Sequence, residues 1–395
     1  MQKLFNTKVV VCLLCCLCFQ ANAALTTDIK YRMNIQDLTA TDQGIFVASN
    51  TTSLFSALDI STEYEGLRVA ATASWLKVGG KSDTDVQVSE AFYDFTIGNW
   101  FMSAGKKKVD WDVGYGFRPL DMFSPTDSLA IYTAIPPGAI MVTGDYFLDS
   151  GNVTLICNES SPDYLERGVK VSKSTGCGGR YYGYFEGFEA QVLGHYDEDL
   201  GMRVGGSALT VIGENLELHG SLLWQENYRT PALYNIHIGQ NDRISGINTQ
   251  WKNNSIQALL GMNYSFQSGI TVIAEYWHDG RAPSDSQWRD VINLSQSTPD
   301  QHQLQMLRSH FATQSLFQDN AMVHIRTSST QWSPSLTLLT NPNDNSVLID
   351  GELCYGGVTA SQLCMGIRQY TGGAETIYEQ LSYERTWYFT MEINL

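Results

Sequence analysis

Beyond its first two dozen residues, the chain lacks any run approaching the roughly 20 apolar residues that a helix needs to cross a membrane, which excludes a helical bundle in lipid. Basic charge is scarce: 25 Lys and Arg stand against 41 Asp and Glu, for a formal charge of −16. Nucleic acid is a poor partner for such a surface. No repeat of 20–50 residues is visible, which a secreted β-sandwich or solenoid reading would have to explain. Neither CxxC nor paired His–Cys spacing is present, and no GxSxG elbow. The sequence therefore signals no metal centre and no cofactor.

What is present begins at the N-terminus. Lys3 and Lys8 supply a positive region, Val9 to Phe19 a short apolar stretch, and Ala21-Asn22-Ala23 a small-x-small cleavage site. That is the pattern of an export signal over residues 1–23. An exported chain lives in an oxidising compartment. Of the eight cysteines, the four outside the signal (Cys157, Cys177, Cys354 and Cys364) suggest two bridges, and sequence proximity favours Cys157–Cys177 and Cys354–Cys364.

From Asp28 onward the dominant pattern has period two. Ile29, Tyr31, Met33 and Ile35 alternate with Lys30, Arg32, Asn34 and Gln36, and Leu67, Val69, Ala71, Ala73 and Trp75 share one face. Phe188, Ala190, Val192 and Tyr196 alternate with Glu189, Gln191 and His195; Leu216, Leu218, Leu222 and Trp224 alternate with Glu217, His219 and Gln225. Ile256 to Phe266 carries the longest apolar face. These runs have the length of a tilted strand crossing a bilayer, about ten residues. Trp75, Trp100, Trp224, Trp251 and Trp277 are expected on the outer face as an interfacial girdle. The end of the chain alternates as well, with Trp387, Phe389, Met391, Ile393 and Leu395 on one face. The expectation is an all-β fold: a transmembrane antiparallel up-and-down β-barrel over residues 24–395. At roughly 23 residues per strand with its loop, it would have about 14–18 strands and long outer loops.

Two stretches break the alternation. Residues 110–137, rich in Gly, Pro and Asp, read as an insert at the pore mouth or in the lumen. Residues 279–318 read as a long outer loop, with a helix from Gln301 to Phe317 whose stripe is Leu304, Leu307, Phe311 and Leu316. Loops of this length are usually functional.

The segment Val88–Pro125 carries Glu90-Ala91-Phe92, Gly98-Asn99-Trp100, Gly105-Lys106-Lys107, Val109-Asp110-Trp111, Pro119, Asp121 and Ser124-Pro125. It resembles a widespread, largely uncharacterised group of porin-like proteobacterial outer-membrane barrels. Asp112 stands where that group often has Gly. The resemblance implies a channel or exporter-like barrel and supplies no cargo.

Lys106, Lys107 and Lys108 form the one basic cluster. Alternation would put Lys106 and Lys108 on a shared face. If that face is the lumen, they stand opposite Asp110, Asp112 and Asp121, with Arg118 nearby, as an electrostatic constriction. The plainer reading sends the lysines to lipid phosphates. His195 and His219 on polar faces, with Ser207 and Ser221 near in sequence, could pair as nucleophile and base, but lumen lining is the better account. Asp279, Asp285 and Asp290 lack calcium-loop spacing.

The function expected is a porin-like channel of the cell outer membrane for passive or partner-driven passage of solutes, not an enzyme. Its partners would be outer-membrane lipids, the assembly machinery acting on the C-terminal strand, and a periplasmic export component. The rival readings are an outer-membrane lipid hydrolase and a structural or adhesive barrel with a blocked lumen.

Overall fold

The computed structural model describes residues 25–42, 44–46, 48–123, 135–160, 174–231, 249–296, 303–304, 307, 310–311, 315–327, 331–356, 361–373 and 375–395. The export signal expected at 1–23 lies outside them.

Eighteen strands form one closed antiparallel sheet. They are β1 (Thr26–Ala40), β2 (Thr51–Tyr64), β3 (Leu67–Val78), β4 (Lys81–Ile97), β5 (Trp100–Lys107), β6 (Ala139–Leu148), β7 (Gly151–Ser160), β8 (Ser174–Phe185) and β9 (Phe188–Asp197). The remainder are β10 (Gly201–Ile212), β11 (Leu216–Pro231), β12 (Thr249–Ser265), β13 (Ile270–Asp279), β14 (Asp319–Thr327), β15 (Trp332–Thr340), β16 (Val347–Tyr355), β17 (Ser361–Thr371) and β18 (Tyr383–Asn394). Each strand pairs with its sequence neighbours, and β1 closes on β18 from Lys30↔Asn394 to Ala40↔Tyr383. Closure leaves no sheet edge unpaired.

The period-two pattern sets which side of the wall each residue takes, and the order is inverted relative to a soluble protein. Leu260 is 70% exposed on the outside, while Gln257 is 1% exposed on the inside. Arg32, Asn34, Gln36, Gln191, His195, His219, Gln225, Ser255 and Glu275 are likewise buried inward, and Val192, Leu222, Ile256 and Met365 are exposed outward. An apolar exterior with a polar interior is the arrangement a barrel takes in lipid. Trp75, Trp251 and Trp387 do stand exposed on the outer face. Trp277 does not: it is buried inward and stacks on Phe117 with ring centroids 5.8 Å apart. Its partner comes from the insert, which a reading of β13 alone does not reveal.

The connections sort by mouth. Those after even-numbered strands include the turns at Glu65-Gly66, Gly98-Asn99 and Gly187 and the loops 213–215 and 266–269. Glu65 and Gly66 both have positive φ (46° and 85°), the backbone that turns a hairpin in two residues with the hand of the sheet. Connections after odd-numbered strands include 41–50, 108–138, 161–173, 232–248, 280–318 and 372–382. The barrel thus has a short-turn mouth and a long-loop mouth.

Helix α1 (Asp285–Gln296) lies in the 280–318 connection. A reciprocal cap starts it: Gln287 Oε1 accepts the Ser284 N–H at 2.9 Å, and Ser284 Oγ accepts the Gln287 N–H at 3.4 Å. Gln303, Leu304, Leu307 and His310 are also helical. Trp288, Val291, Leu307 and Phe317 pack with Leu339, Leu348, Ile377 and Tyr378 as a buried apolar cluster, against which Ile45, Phe46, Leu304, Phe311 and Leu316 lie. This cap covers the long-loop mouth on the side of β13–β18.

Both cysteine pairs are bonded. Cys157–Cys177 joins directly opposed residues of β7 and β8 on the outer face, and Cys354–Cys364 joins β16 and β17 on the inner face. Glu352 lies beside the second pair, but sulfurs bonded to each other are not metal ligands.

Candidate functional site: the insert against the inner wall

Between β5 and β6 the chain leaves the wall. Its root is tied at a β-bulge: Ser89 is the extra residue of β4 opposite Ala70 and Ala71 of β3, and its carbonyl accepts the Gly138 N–H at 2.8 Å. The Lys108 N–H is held by Glu90 Oε1 at 3.2 Å. Bulges re-aim the chain in this way beside functional sites.

Residues 108–123 then run across the inner wall from β6 to β14. Phe123 packs on Ala139, Met141 and Ile156. Leu120, fully buried, packs on Leu193 and Leu223. The Trp111 carbonyl accepts a hydrogen bond from Gln191, and Arg180 stacks over its ring at 4.9 Å. Phe117 lies in the apolar cluster with Leu259, Ile273 and Met322. The segment buries its large apolar side chains against the wall and does not hang as a free loop.

Its own acids shape it. Asp112 Oδ1 accepts the N–H groups of Val113 (2.7 Å) and Gly114 (3.2 Å), and Oδ2 accepts that of Leu120 (2.5 Å). Asp121 Oδ1 accepts the N–H groups of Trp111 (2.8 Å) and Asp112 (3.1 Å), while its Oδ2 meets Arg118 Nε at 2.5 Å. Arg118 also binds Asp110 and the Asp112 carbonyl. Backbone N–H groups left over by an irregular segment must find acceptors, and here the aspartates supply them. Burial pushes the Asp112 carboxyl up to about 6, helped by the charge of Asp121 and opposed by the hydrogen bonds it accepts.

The far end is bolted to the wall by Glu275. Its two oxygens accept the Tyr115 N–H at 2.7 Å and the Gly116 N–H at 2.6 Å, and one also meets His219 Nε2 at 2.9 Å. His219 Nδ1 lies 3.3 Å from Glu217. The Tyr115 hydroxyl is reached by Asn263 at 3.1 Å, and burial raises its pKa above that of an ordinary phenol.

The lysines divide differently from the alternation expected. Lys106 is on the outer face, its Nζ donating to the Val88 carbonyl at 2.6 Å. Lys107 points inward, 3.6 Å from Asp94, bonded to Ser103 at 2.7 Å and over the Phe92 ring at 4.8 Å. Since β5 ends at Lys107, alternation no longer governs Lys108, whose ammonium turns inward among Glu90, Arg68, Asp59 and Arg32. Burial lowers its pKa. The six residues singled out for a constriction therefore do not form one basic face opposite one acidic face. Asp110, Asp112, Arg118 and Asp121 hold the insert together, Lys108 stands at its root, and Lys106 is outside the lumen. The inner wall across from the insert carries ion pairs: Arg32–Asp59 at 2.5 Å, Arg68–Glu90 at 3.6 Å and Arg368–Asp350 at 2.5 Å.

The histidines are engaged in holding the wall. His195 bonds Asn158 at 2.8 Å and Arg203 at 2.9 Å, and Ser207 accepts from Gln191 at 2.8 Å. Asp279 pairs with Arg281 at 2.9 Å. The Glu275 bolt escaped the sequence reading. Its one signal was a carboxylate in the middle of β13, between Ile273 and Trp277 on the inward register.

The barrel is similar to solved structures of other proteins. Acinetobacter baumannii OccAB1 is 11% identical over 94% of this chain and 96% of that one, with a TM-score of 0.60. Pseudomonas aeruginosa OccD3 (OpdP) is 11% identical over 95% and 93%, with a TM-score of 0.55. A triple mutant of Rhodopseudomonas blastica porin aligns over 94% of this chain and all of its own, at 11% identity and a TM-score of 0.47. No family model matches the sequence, and no curated protein matches it. At such identity the likeness to OccAB1 and OccD3 establishes the fold alone: this chain folds as a closed antiparallel β-barrel of the kind those two structures show.

Proposed function

We propose that the chain is an outer-membrane channel for the passage of small solutes, its long-loop mouth facing outward and its short turns facing the periplasm. The observation that carries this reading is the apolar-outside, polar-inside closed wall with a segment packed across one half of its interior. The insert occupies the arc from β6 to β14, and the cap covers the mouth over β13–β18. A solute would pass along the remaining arc, the inner faces of β1–β5, where the Arg32–Asp59 and Arg68–Glu90 pairs lie. The position of the insert and the charges of that arc would then set what passes. Glu275 would act as the latch that keeps the insert on its wall.

Planar-bilayer recordings of the refolded protein test this. The native protein should give small, steady conductance steps. Glu275→Ala, which frees the Tyr115 and Gly116 N–H groups, should give larger or flickering steps. Silence from both proteins, each verified as a heat-modifiable barrel, would overturn the channel reading in favour of a closed, loop-presenting barrel.

A further inference from the structure

Strand β4 outruns its neighbour on one side. Toward the short turns it pairs with β5, from Ala91↔Lys106 to Ile97↔Trp100, and beyond Lys107 that neighbour gives way to the insert. On its other side β3 stays paired to the tip, from Leu67↔Tyr93 to Val78↔Lys81. Residues 81–88 therefore overhang at the long-loop mouth with one side open. Gly79 and Gly80, both at positive φ (54° and 84°), turn this hairpin in two residues. In such a hairpin the pair flanking the turn exchanges both backbone bonds, and the bonding alternates from there. Lys81, Asp83, Asp85 and Gln87 thus bond to β3. Ser82, Thr84, Val86 and Val88 aim their N–H and C=O groups at the open side. Lys106 agrees with that direction, since its Nζ reaches the Val88 carbonyl at 2.6 Å from the β5 side. The Thr84 N–H turns to the Asp83 carboxylate at 3.0 Å. Ser82 and Val86 have no backbone partner on the open side among the described residues, and Val86 is 56% exposed.

A row of backbone donors and acceptors at strand spacing is complemented in full by another extended backbone. The side chains say which kind. Val86 and Val88 stand exposed beside Ala73 and Ala71 on the outer face, and Asp83 and Asp85 stand exposed on the opposite face. An added strand would meet its complement with apolar residues opposite the valines and cations opposite the two aspartates. A second copy of this chain does not fit. Barrels in one membrane share an orientation, so two overhangs brought side by side run the same way, whereas strands paired across a two-fold axis run antiparallel. Even an antiparallel pairing centred on Thr84 would set Asp83 against Asp85.

We propose that the open side of β4 over residues 82–88 takes up an extended segment of a partner polypeptide as an added strand, with Lys or Arg on alternate residues facing Asp83 and Asp85 and apolar residues between them. The segment arrives from the water at the long-loop mouth, and its docking is independent of whether the lumen conducts.

Fluorescence anisotropy with the full chain in detergent reads this, using labelled peptides of roughly seven residues, the length of the overhang. A peptide alternating Val with Lys should bind saturably, and one alternating Val with Glu should bind about tenfold more weakly. Methylating one alternate set of backbone nitrogens in the Val–Lys peptide should abolish binding, and methylating the other set should spare it, because an added strand donates to β4 from one side only. Val86→Pro removes an N–H from the open side and leaves the pairing with β3 intact. It should weaken the Val–Lys peptide by about tenfold. Asp83→Lys with Asp85→Lys should invert the preference in favour of the Val–Glu peptide. If either variant does not give a heat-modifiable barrel, the peptide series on the native chain decides by itself. No binding of the Val–Lys peptide, binding that survives both methylations, an unaffected Val86→Pro chain, or an unchanged preference in the double exchange would each overturn the proposal.

Discussion

Asp112 is the residue at which the insert is most sensitive to its surroundings. Its carboxyl holds three N–H groups from a half-buried position, and its pKa is raised from 3.8 to about 6. A raised pKa means that the folded segment binds the proton more tightly than the unfolded one. The associated stabilisation is therefore fully present below pH 3.8 and is lost as the pH rises through about 6. The whole effect is at most about 3 kcal/mol at 1.36 kcal/mol per unit. Hydrogen exchange of the Leu120 N–H should accelerate as the pH passes upward through 6, beyond the intrinsic increase. Asp112→Asn should remove that step while weakening the segment by about 1–3 kcal/mol, because an amide presents one acceptor where a carboxylate presents two. A flat profile in the native protein would rule out control by this carboxyl. The lysines make a second test at this scale. Ion selectivity in bilayers should shift in Lys107→Ala and Lys108→Ala, which remove inward charges, and stay unchanged in Lys106→Ala. A shift confined to Lys106→Ala would place the inner face on the wrong side of β5.

Helix α1 stands on a cap of two side chains. Ser284→Ala removes the Oγ that accepts the Gln287 N–H, a loss of about 1 kcal/mol for the helix. Local exchange over 285–291 should rise, with the rest of the barrel unchanged; uniform destabilisation would mean that the helix is not a separate unit. The cap also shows where sequence reading stopped. Sequence reading places a helix at Gln301–Phe317 and passes over Asp285–Gln296, a largely polar stretch whose buried stripe is only Trp288 and Val291. The strands were far easier to read, because every second residue must meet lipid and the code repeats along the whole wall. Trp277 and Lys108 failed under that code for separate reasons. One meets a segment from elsewhere in the chain, and the other lies one residue past the end of a strand. The acidic and basic members of the insert were found by type, but not by role. That Asp112 and Asp121 would spend their oxygens on backbone N–H groups depends on a loop conformation that no local pattern encodes.

At the scale of the whole molecule, the sorting of loops by mouth gives a direct test of orientation. A single added cysteine at Asn343, in a long-mouth connection, should react with an impermeant maleimide on intact cells, and one at Gly187, in a short turn, should not. The reverse result would turn the barrel over. Stability at this scale rests partly on the two bridges. Each closes a short loop, and removing either by Cys→Ser should cost about 2–3 kcal/mol by the loop-entropy argument. A thiol count on the denatured, unreduced chain should leave all four bridge sulfurs protected.

The two disulfides sit on opposite faces of one wall, and that makes the protein its own gauge of permeability. Cys157–Cys177 looks toward hydrocarbon and Cys354–Cys364 toward the interior. A bulky hydrophilic phosphine and a slim one differ only in what aperture they can thread, and only the inner bond is reached by threading. The rate at which the inner bond is reduced by reductants of increasing girth, with the lipid-shielded outer bond as the control that stays intact, would therefore trace the width of the passage without an electrode and in the native membrane.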